Sequence, residues 1–175
     1  MKKLLYGFAV MLIAAAPALA AIEAGNGELG VGVGSTQMDS DYTNLDSGTS
    51  LAVRGGYFFN PKFELEGQLA STTANVSGSS DDATFRTYMV NGVYNFQTPK
   101  AIVPYVLAGV GMGDAEFQNQ SDSATAFQVG GGSRFFFGKE KRAAFRLDLA
   151  MIQQKFDTTT NDMNISAGFT WRLGK

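Results

Sequence analysis

Eight charged residues stand at alternate positions in runs that are otherwise apolar or glycine-rich: Glu28, Arg54, Glu64, Glu66, Arg134, Arg146, Asp148 and Arg172. Four are arginines and four are carboxylates, so the chemistry open to them is ion pairing. Catalysis and metal binding find little support. The chain has no histidine, the commonest general base and metal ligand, and no cysteine. Its Ser and Asp residues cluster in polar stretches where solvation is the simpler role. Asp39-x-Asp41 with Asn44 and Asp46 follows an EF-hand loop only in part, lacking its Gly and distal Glu. The run ELGVGVG at 28–34 makes a weak phosphate loop, because its glycines strictly alternate and no Lys-Ser/Thr or helix follows. No catalytic residue, cofactor or metal site is expected.

These charges need strands to hold them. At 51–71, LAVRGGYFFNPKFELEGQLAS, two alternating runs flank Asn60-Pro61-Lys62. Leu51, Val53, Gly55, Tyr57 and Phe59 share one face of the first run; Ala52, Arg54, Gly56 and Phe58 share the other. In the second run Phe63, Leu65, Gly67 and Leu69 oppose Glu64, Glu66 and Gln68. A period of two with one apolar face is the pattern of antiparallel strands, and Pro in the turn closes a hairpin. Pairing Phe59 with Phe63 matches apolar residues to one another. It also sets Arg54 opposite Gln68 and diagonal to Glu66.

Six further runs alternate in the same way. Residues 28–34 set Leu29, Val31 and Val33 against Gly30, Gly32 and Gly34. Residues 85–96 set Tyr88, Val90, Tyr94 and Phe96 against Met89, Asn91 and Asn95. At 104–113, Val106, Ala108, Val110 and Met112 oppose Gly109, Gly111 and Gly113. At 125–137, Phe127, Val129, Phe135 and Phe137 oppose Gln128, Gly130, Gly132 and Arg134. Residues 143–156 set Phe145, Leu147, Leu149 and Met151 against Arg146, Asp148 and Gln154. At 163–173, Ile165, Ala167, Phe169, Trp171 and Leu173 oppose Asn164, Ser166, Gly168, Thr170 and Arg172. The expected fold is all-β, an eight-stranded antiparallel up-and-down transmembrane barrel with short turns alternating with four polar loops at 39–48, 72–84, 114–124 and 157–162.

Charge and aromatics mark the two ends. The loops hold ten acids: Asp39, Asp41, Asp46, Asp81, Asp82, Asp114, Glu116, Asp122, Asp157 and Asp162. The short turns hold Lys62, Lys100, Lys139, Lys141 and Arg142, opposed only by Glu140. Tyr57, Phe59, Phe63, Tyr94, Phe96, Phe135, Phe137, Phe145 and Trp171 lie on the apolar face near a turn or the C-terminus, where a membrane interface selects an aromatic girdle.

A magnitude decides which face meets lipid. With the polar face outside, Arg54 and Arg146 would each cost ~2–4 kcal/mol near the bilayer midplane. Adding Glu64, Glu66 and Asp148 rivals the ~5–15 kcal/mol that holds a typical domain together. The charges therefore belong inside, as a plugged ion-paired core, since eight strands enclose a space that side chains can fill.

The N-terminus MKKLLYGFAVMLIAAAPALA has a basic start, an apolar stretch too short to span a bilayer as a helix, and Ala18-Leu19-Ala20 as a cleavage site. Export with cleavage near Ala20 is expected, leaving one domain at 21–175. Losing Lys2 and Lys3 takes the 14 basic residues to 12 against 16 acidic, a balance of −4. No basic face remains for nucleic acid.

The chain resembles the small eight-stranded outer-membrane barrels of the OmpA/OmpX and opacity type. Phe63-Glu64-Leu65-Glu66-Gly67 is similar to that family's third strand, and Val103-Pro104-Tyr105 leading to Gly109-Val110-Gly111 to its fifth. Ser166-x-Gly168-x-x-Trp171-x-Leu173 is similar to the C-terminal signal read by the barrel-assembly machinery. The family usually ends on an aromatic, whereas here Leu173 is followed by Gly174-Lys175. The resemblance implies a monomer in the bacterial outer membrane, in contact with lipid and lipopolysaccharide. Its expected role is non-enzymatic, structural or surface-interacting, meeting a host or surface ligand through four acidic external loops. The alternative is a narrow porin-like channel for ions or very small solutes. A barrel enzyme acting on lipid fits less well without histidine, and a soluble lipid-binding barrel would enclose the Leu/Val/Phe face instead.

Overall fold

The alternation is realised as eight strands. The computed structural model describes residues 22–38, 47–75, 82–98, 101–117, 120–155 and 159–174. The strands are β1 (Gly27–Gln37), β2 (Gly48–Phe58), β3 (Phe63–Asn75), β4 (Asp82–Asn95), β5 (Ile102–Phe117), β6 (Gln120–Phe137), β7 (Ala143–Lys155) and β8 (Thr159–Leu173). Each pairs antiparallel with the next, and β8 returns to β1, closing an up-and-down barrel. Closure removes the sheet edges and gives every strand two neighbours for its backbone groups, the condition for a sheet to cross lipid.

The β2–β3 hairpin has the register its turn dictates, with Arg54 opposite Gln68 and Phe58 opposite Glu64. Phe59 N–H donates to the Phe63 carbonyl at 3.0 Å. The Asn60 side-chain oxygen accepts from the N–H groups of Lys62 (2.8 Å) and Phe63 (3.1 Å), an Asx turn that bends the chain around Pro61.

Alternate residues face outward, and these are apolar: Leu29, Val31, Val33, Leu51, Val53, Leu65, Leu69, Val90, Val110, Val129 and Ile165 are all exposed. Their inward neighbours are small, polar or charged. Gly32 shows why glycine recurs on the β1 inner face, since a Cβ there would come within 2.9 Å of Arg54 Nη1. Gly32→Val is expected to cost ~1–3 kcal/mol through overpacking. The check is the urea midpoint of the refolded variant at unchanged m-value.

Three expected loops are shorter than the sequence suggested. Residues 72–75 and 82–84 belong to β3 and β4, residues 114–117 and 120–124 to β5 and β6, and residues 159–162 to β8. Pairing there is continuous through Asn75↔Asp82, Phe117↔Gln120 and Lys155↔Thr159. A backbone ladder needs no apolar face, and the threonines and serines of these ends suit a strand in water. Asp162 consequently lies on β8 rather than in a loop. It is buried and accepts from Gln154 Nε2 at 3.1 Å. Asp114 lies on β5, paired with Arg86 of β4 and Ser123 of β6. The leader 1–20, Asn44, Lys100, Lys175 and the acids Asp39, Asp41, Asp46, Asp81 and Asp157 lie outside the described residues.

Candidate functional site

The lumen is filled in layers. At the turn end Ile22, Phe58, Val103, Phe136 and Ala144 make an apolar plug. The chain before β1 enters this plug, held by hydrogen bonds from Gly25 N–H to the Phe58 carbonyl (2.8 Å) and from Phe58 N–H to the Asn26 carbonyl (2.9 Å). Ile22 has no exposed surface.

The charged layer follows. Arg134 of β6 donates through Nε to Glu28 Oε1 of β1 (3.0 Å), through Nη2 to Glu64 Oε2 of β3 (2.7 Å) and through Nη1 to Asn95 Oδ1 of β4 (2.6 Å). Arg146 of β7 donates to Glu66 of β3, to Asp148 Oδ1 (3.0 Å) and to Tyr105 Oη (2.6 Å), and it stands 3.8 Å from Glu28 Oε1. The Tyr105 ring is flanked by both guanidiniums, at 4.6 Å from Arg134 and 4.7 Å from Arg146, and its hydroxyl donates to Asp148. Arg54 of β2 pairs with Asp148 Oδ2 at 3.6 Å and donates to Gln68 Oε1 and Ser166 Oγ, each at 3.4 Å. Arg172 of β8 also faces inward, but at the rim, where its Nη2 lies 3.5 Å from the Glu140 carbonyl. Arg134 and Arg146 are 0 % exposed.

Glu28, Glu64 and Glu66 bring oxygens within 4.8 Å of one another, the spacing of a cation site. The cation positions beside them are taken by the two guanidiniums. Towards the loop end the filling is mostly neutral, buried Asp162 apart, with Asn164 Nδ2 donating to Thr36 Oγ1 and Ser50 Oγ, both at 2.9 Å. A cavity of about 30 Å³ lies there beside Arg54, Gln68 and Ser166, polar and roomy enough to hold water.

Beyond the eight charged residues the network also takes in Gln68, Ser166, Tyr105, Asn91 (Nδ2 to Glu66 Oε1, 3.3 Å) and Asn95. Tyr105 carried a signal, since it shares the parity of Gly109, Gly111 and Gly113 and is the aromatic of that glycine face.

The outer wall is the second feature. Tyr57, Phe59, Phe63, Phe96, Phe137, Phe145 and Trp171 are exposed, and Tyr94 and Phe135 half-buried. They meet edge-on or tilted, as in Phe63–Tyr94 and Tyr94–Phe96 (both 5.1 Å between centroids) and Tyr57–Phe59 (5.3 Å). Phe169 joins them, 5.7 Å from Phe137.

The family model for the outer membrane protein beta-barrel domain matches residues 6–172. The chain belongs to that family. It is an outer-membrane β-barrel, and the apolar outer wall is the surface such a barrel turns to lipid. No curated protein matches it significantly. Among solved structures it is similar to neisserial surface protein A, NspA, with a TM-score of 0.68 and 16% identity over 85% of this chain and 97% of that one. It is similar to Ail, the attachment invasion locus protein of Yersinia pestis, in complex with the heparin analogue sucrose octasulfate (TM-score 0.61, 23% identity, 86% and 99% covered). OprG of Pseudomonas aeruginosa is a third (TM-score 0.56, 16% identity, 87% and 98% covered). At these identities the likeness is one of fold.

Proposed function

We propose that this outer-membrane barrel is non-enzymatic and works as a closed scaffold that presents its loop end at the cell surface. The observation that carries this is the lumen. Among the described residues an apolar plug fills the turn end of the lumen, and the layer above it fully encloses Arg134 and Arg146. The β5–β6 hairpin supports the same reading. A tilted strand crosses the bilayer in about 9–11 residues, whereas β5 has 16 and β6 has 18. Their surplus lies at the loop end, where the outward apolar run has stopped, so a paired polar ribbon projects beyond the lipid band. Acids predominate at that end of the sequence, in the stretches carrying Asp39 to Asp46, Asp81, Asp82, Asp114 to Asp122 and Asp157. The heparin analogue held by Ail is a polyanion; these acids favour a cationic partner, or lipopolysaccharide bridged by divalent ions. The aromatic girdle anchors the turn end at the opposite interface. Export with cleavage near Ala20, recognition of the Ser166–Leu173 stretch by the barrel-assembly machinery and a monomeric state complete the proposal.

Planar-bilayer recording tests it. Protein shown to be folded by its heat-modifiable gel mobility should give no steady conductance. Reproducible ohmic steps would overturn the closed-scaffold reading in favour of a narrow channel.

A further inference from the structure

We propose that the β6–β7 turn and the aromatic wall beside it form a binding site for an anionic phospholipid. Its acyl chains lie on Phe137, Phe169 and Trp171, and its phosphodiester meets Lys139, Lys141 and Arg142. This rests on the outer-membrane placement above and adds the class of lipid that the turn end selects.

The turn after Gly138 joins Phe137 to Ala143, which pair with each other, and Ala143 is also paired with Trp171 across β7–β8. Arg172 N–H donates to the Arg142 carbonyl at 2.7 Å, tying the turn to the strand that carries the tryptophan. Below it the rings form a continuous exposed surface, Phe137–Phe169 at 5.7 Å and Phe169–Trp171 at 6.5 Å. The cations therefore stand at the edge of an apolar wall, the place of a lipid headgroup. Arg142 is partnered by Glu140 at 2.9 Å. Lys139 and Lys141 have no carboxylate within ion-pair distance among the described residues, so the turn keeps a positive excess.

Lys141 adds an independent sign. Its φ is 49°, the one positive φ at a non-glycine among the described residues. That left-handed region favours Gly or Asn and is unfavourable for a long side chain. The lysine there supplies a cation where an easier residue would have made the same turn. A zwitterionic headgroup brings its own ammonium to compete with these lysines, whereas a phosphatidylglycerol headgroup does not. A free phosphate would meet the cations but gain nothing from the rings. The combination fits an anionic lipid in the turn-end leaflet.

Trp171 is the only tryptophan of the chain and reports on this wall directly. The protein is refolded into equimolar phosphatidylcholine and phosphatidylglycerol vesicles, with brominated acyl chains on one lipid or the other. Quenching should favour brominated phosphatidylglycerol by at least about fivefold, the preference that either of the two uncompensated lysines alone would confer at an anionic surface. Lys139→Gln with Lys141→Asn should abolish the preference while the heat-modifiable gel shift is kept, the Asn suiting the left-handed turn position. Lys62→Gln, on another turn, should leave it unchanged. Equal quenching by the two lipids in the parent, or a preference that survives the double substitution, overturns the site. Quenching by neither lipid would overturn the membrane placement together with the site.

Discussion

Arg134→Leu is expected to cost ~3–5 kcal/mol or to prevent refolding outright, the penalty for leaving a buried charge without its partner. Two carboxylates depend on this guanidinium, Glu28 at 3.0 Å and Glu64 at 2.7 Å, and all three groups are buried. Their remaining oxygens, Glu28 Oε2 and Glu64 Oε1, make no hydrogen bond to other described residues. Glu28 has a second cation within reach, Arg146 at 3.8 Å, so Glu64 bears most of the loss. The loss measures breakage, not the net worth of the pair. Replacing a whole buried ionic group by neutral residues of similar volume is often close to neutral. Arg134→Leu combined with Glu28→Gln and Glu64→Gln should therefore recover much of the stability lost by the single change. Urea unfolding followed by Trp171 fluorescence gives both values, and the non-additivity gives the coupling. A single substitution costing less than about 1 kcal/mol would mean that water reaches the layer; the closed lumen would then be wrong.

Val31→Arg should cost ~2–4 kcal/mol, although Val31 is 55% exposed. In a protein surrounded by water an exposed substitution of this kind stays within about 0.5 kcal/mol of neutral. Val31 lies mid-strand on β1, between Val53 and Phe169, in the central part of the apolar band. Four residues on, outward Ser35 is near the loop end of the same strand, and Ser35→Arg should cost only ~0–1 kcal/mol because the penalty falls with depth. The pair is read as unfolding free energy in vesicles. Equal small costs at both sites would place water, not lipid, against the wall. The contrast is sharp because folded-state contacts predict no difference between the two sites: both side chains are exposed rather than enclosed by protein.

The two predictions draw on different kinds of information. Which way Val31 and Arg134 point was legible in the sequence, because side-chain direction in a strand is a local property with a period of two. Once one face carried Arg54, Glu66, Arg146 and Asp148 and the other carried leucine, valine and phenylalanine, the inside followed from the cost of charge in lipid. The β2–β3 register was legible for the same reason, since a three-residue turn around Pro61 leaves one way to match the flanking faces.

Who meets whom across the lumen was not legible. Residues 28, 64 and 134 lie on β1, β3 and β6, and they share a height only because closure fixes the stagger between successive strands. That stagger accumulates around all eight pairings and has no local signature. It sends Arg54 to Asp148 and places Arg172 at the rim beside the Glu140 carbonyl. It brings Tyr105 between two guanidiniums. The ladders past the expected loop boundaries belong to the same class, because backbone pairing continues wherever a neighbour is in register, whatever its side chains. Alternation alone determined a barrel with its charges enclosed; the tertiary structure decided how those charges pair, because pairing depends on the closure of the whole sheet.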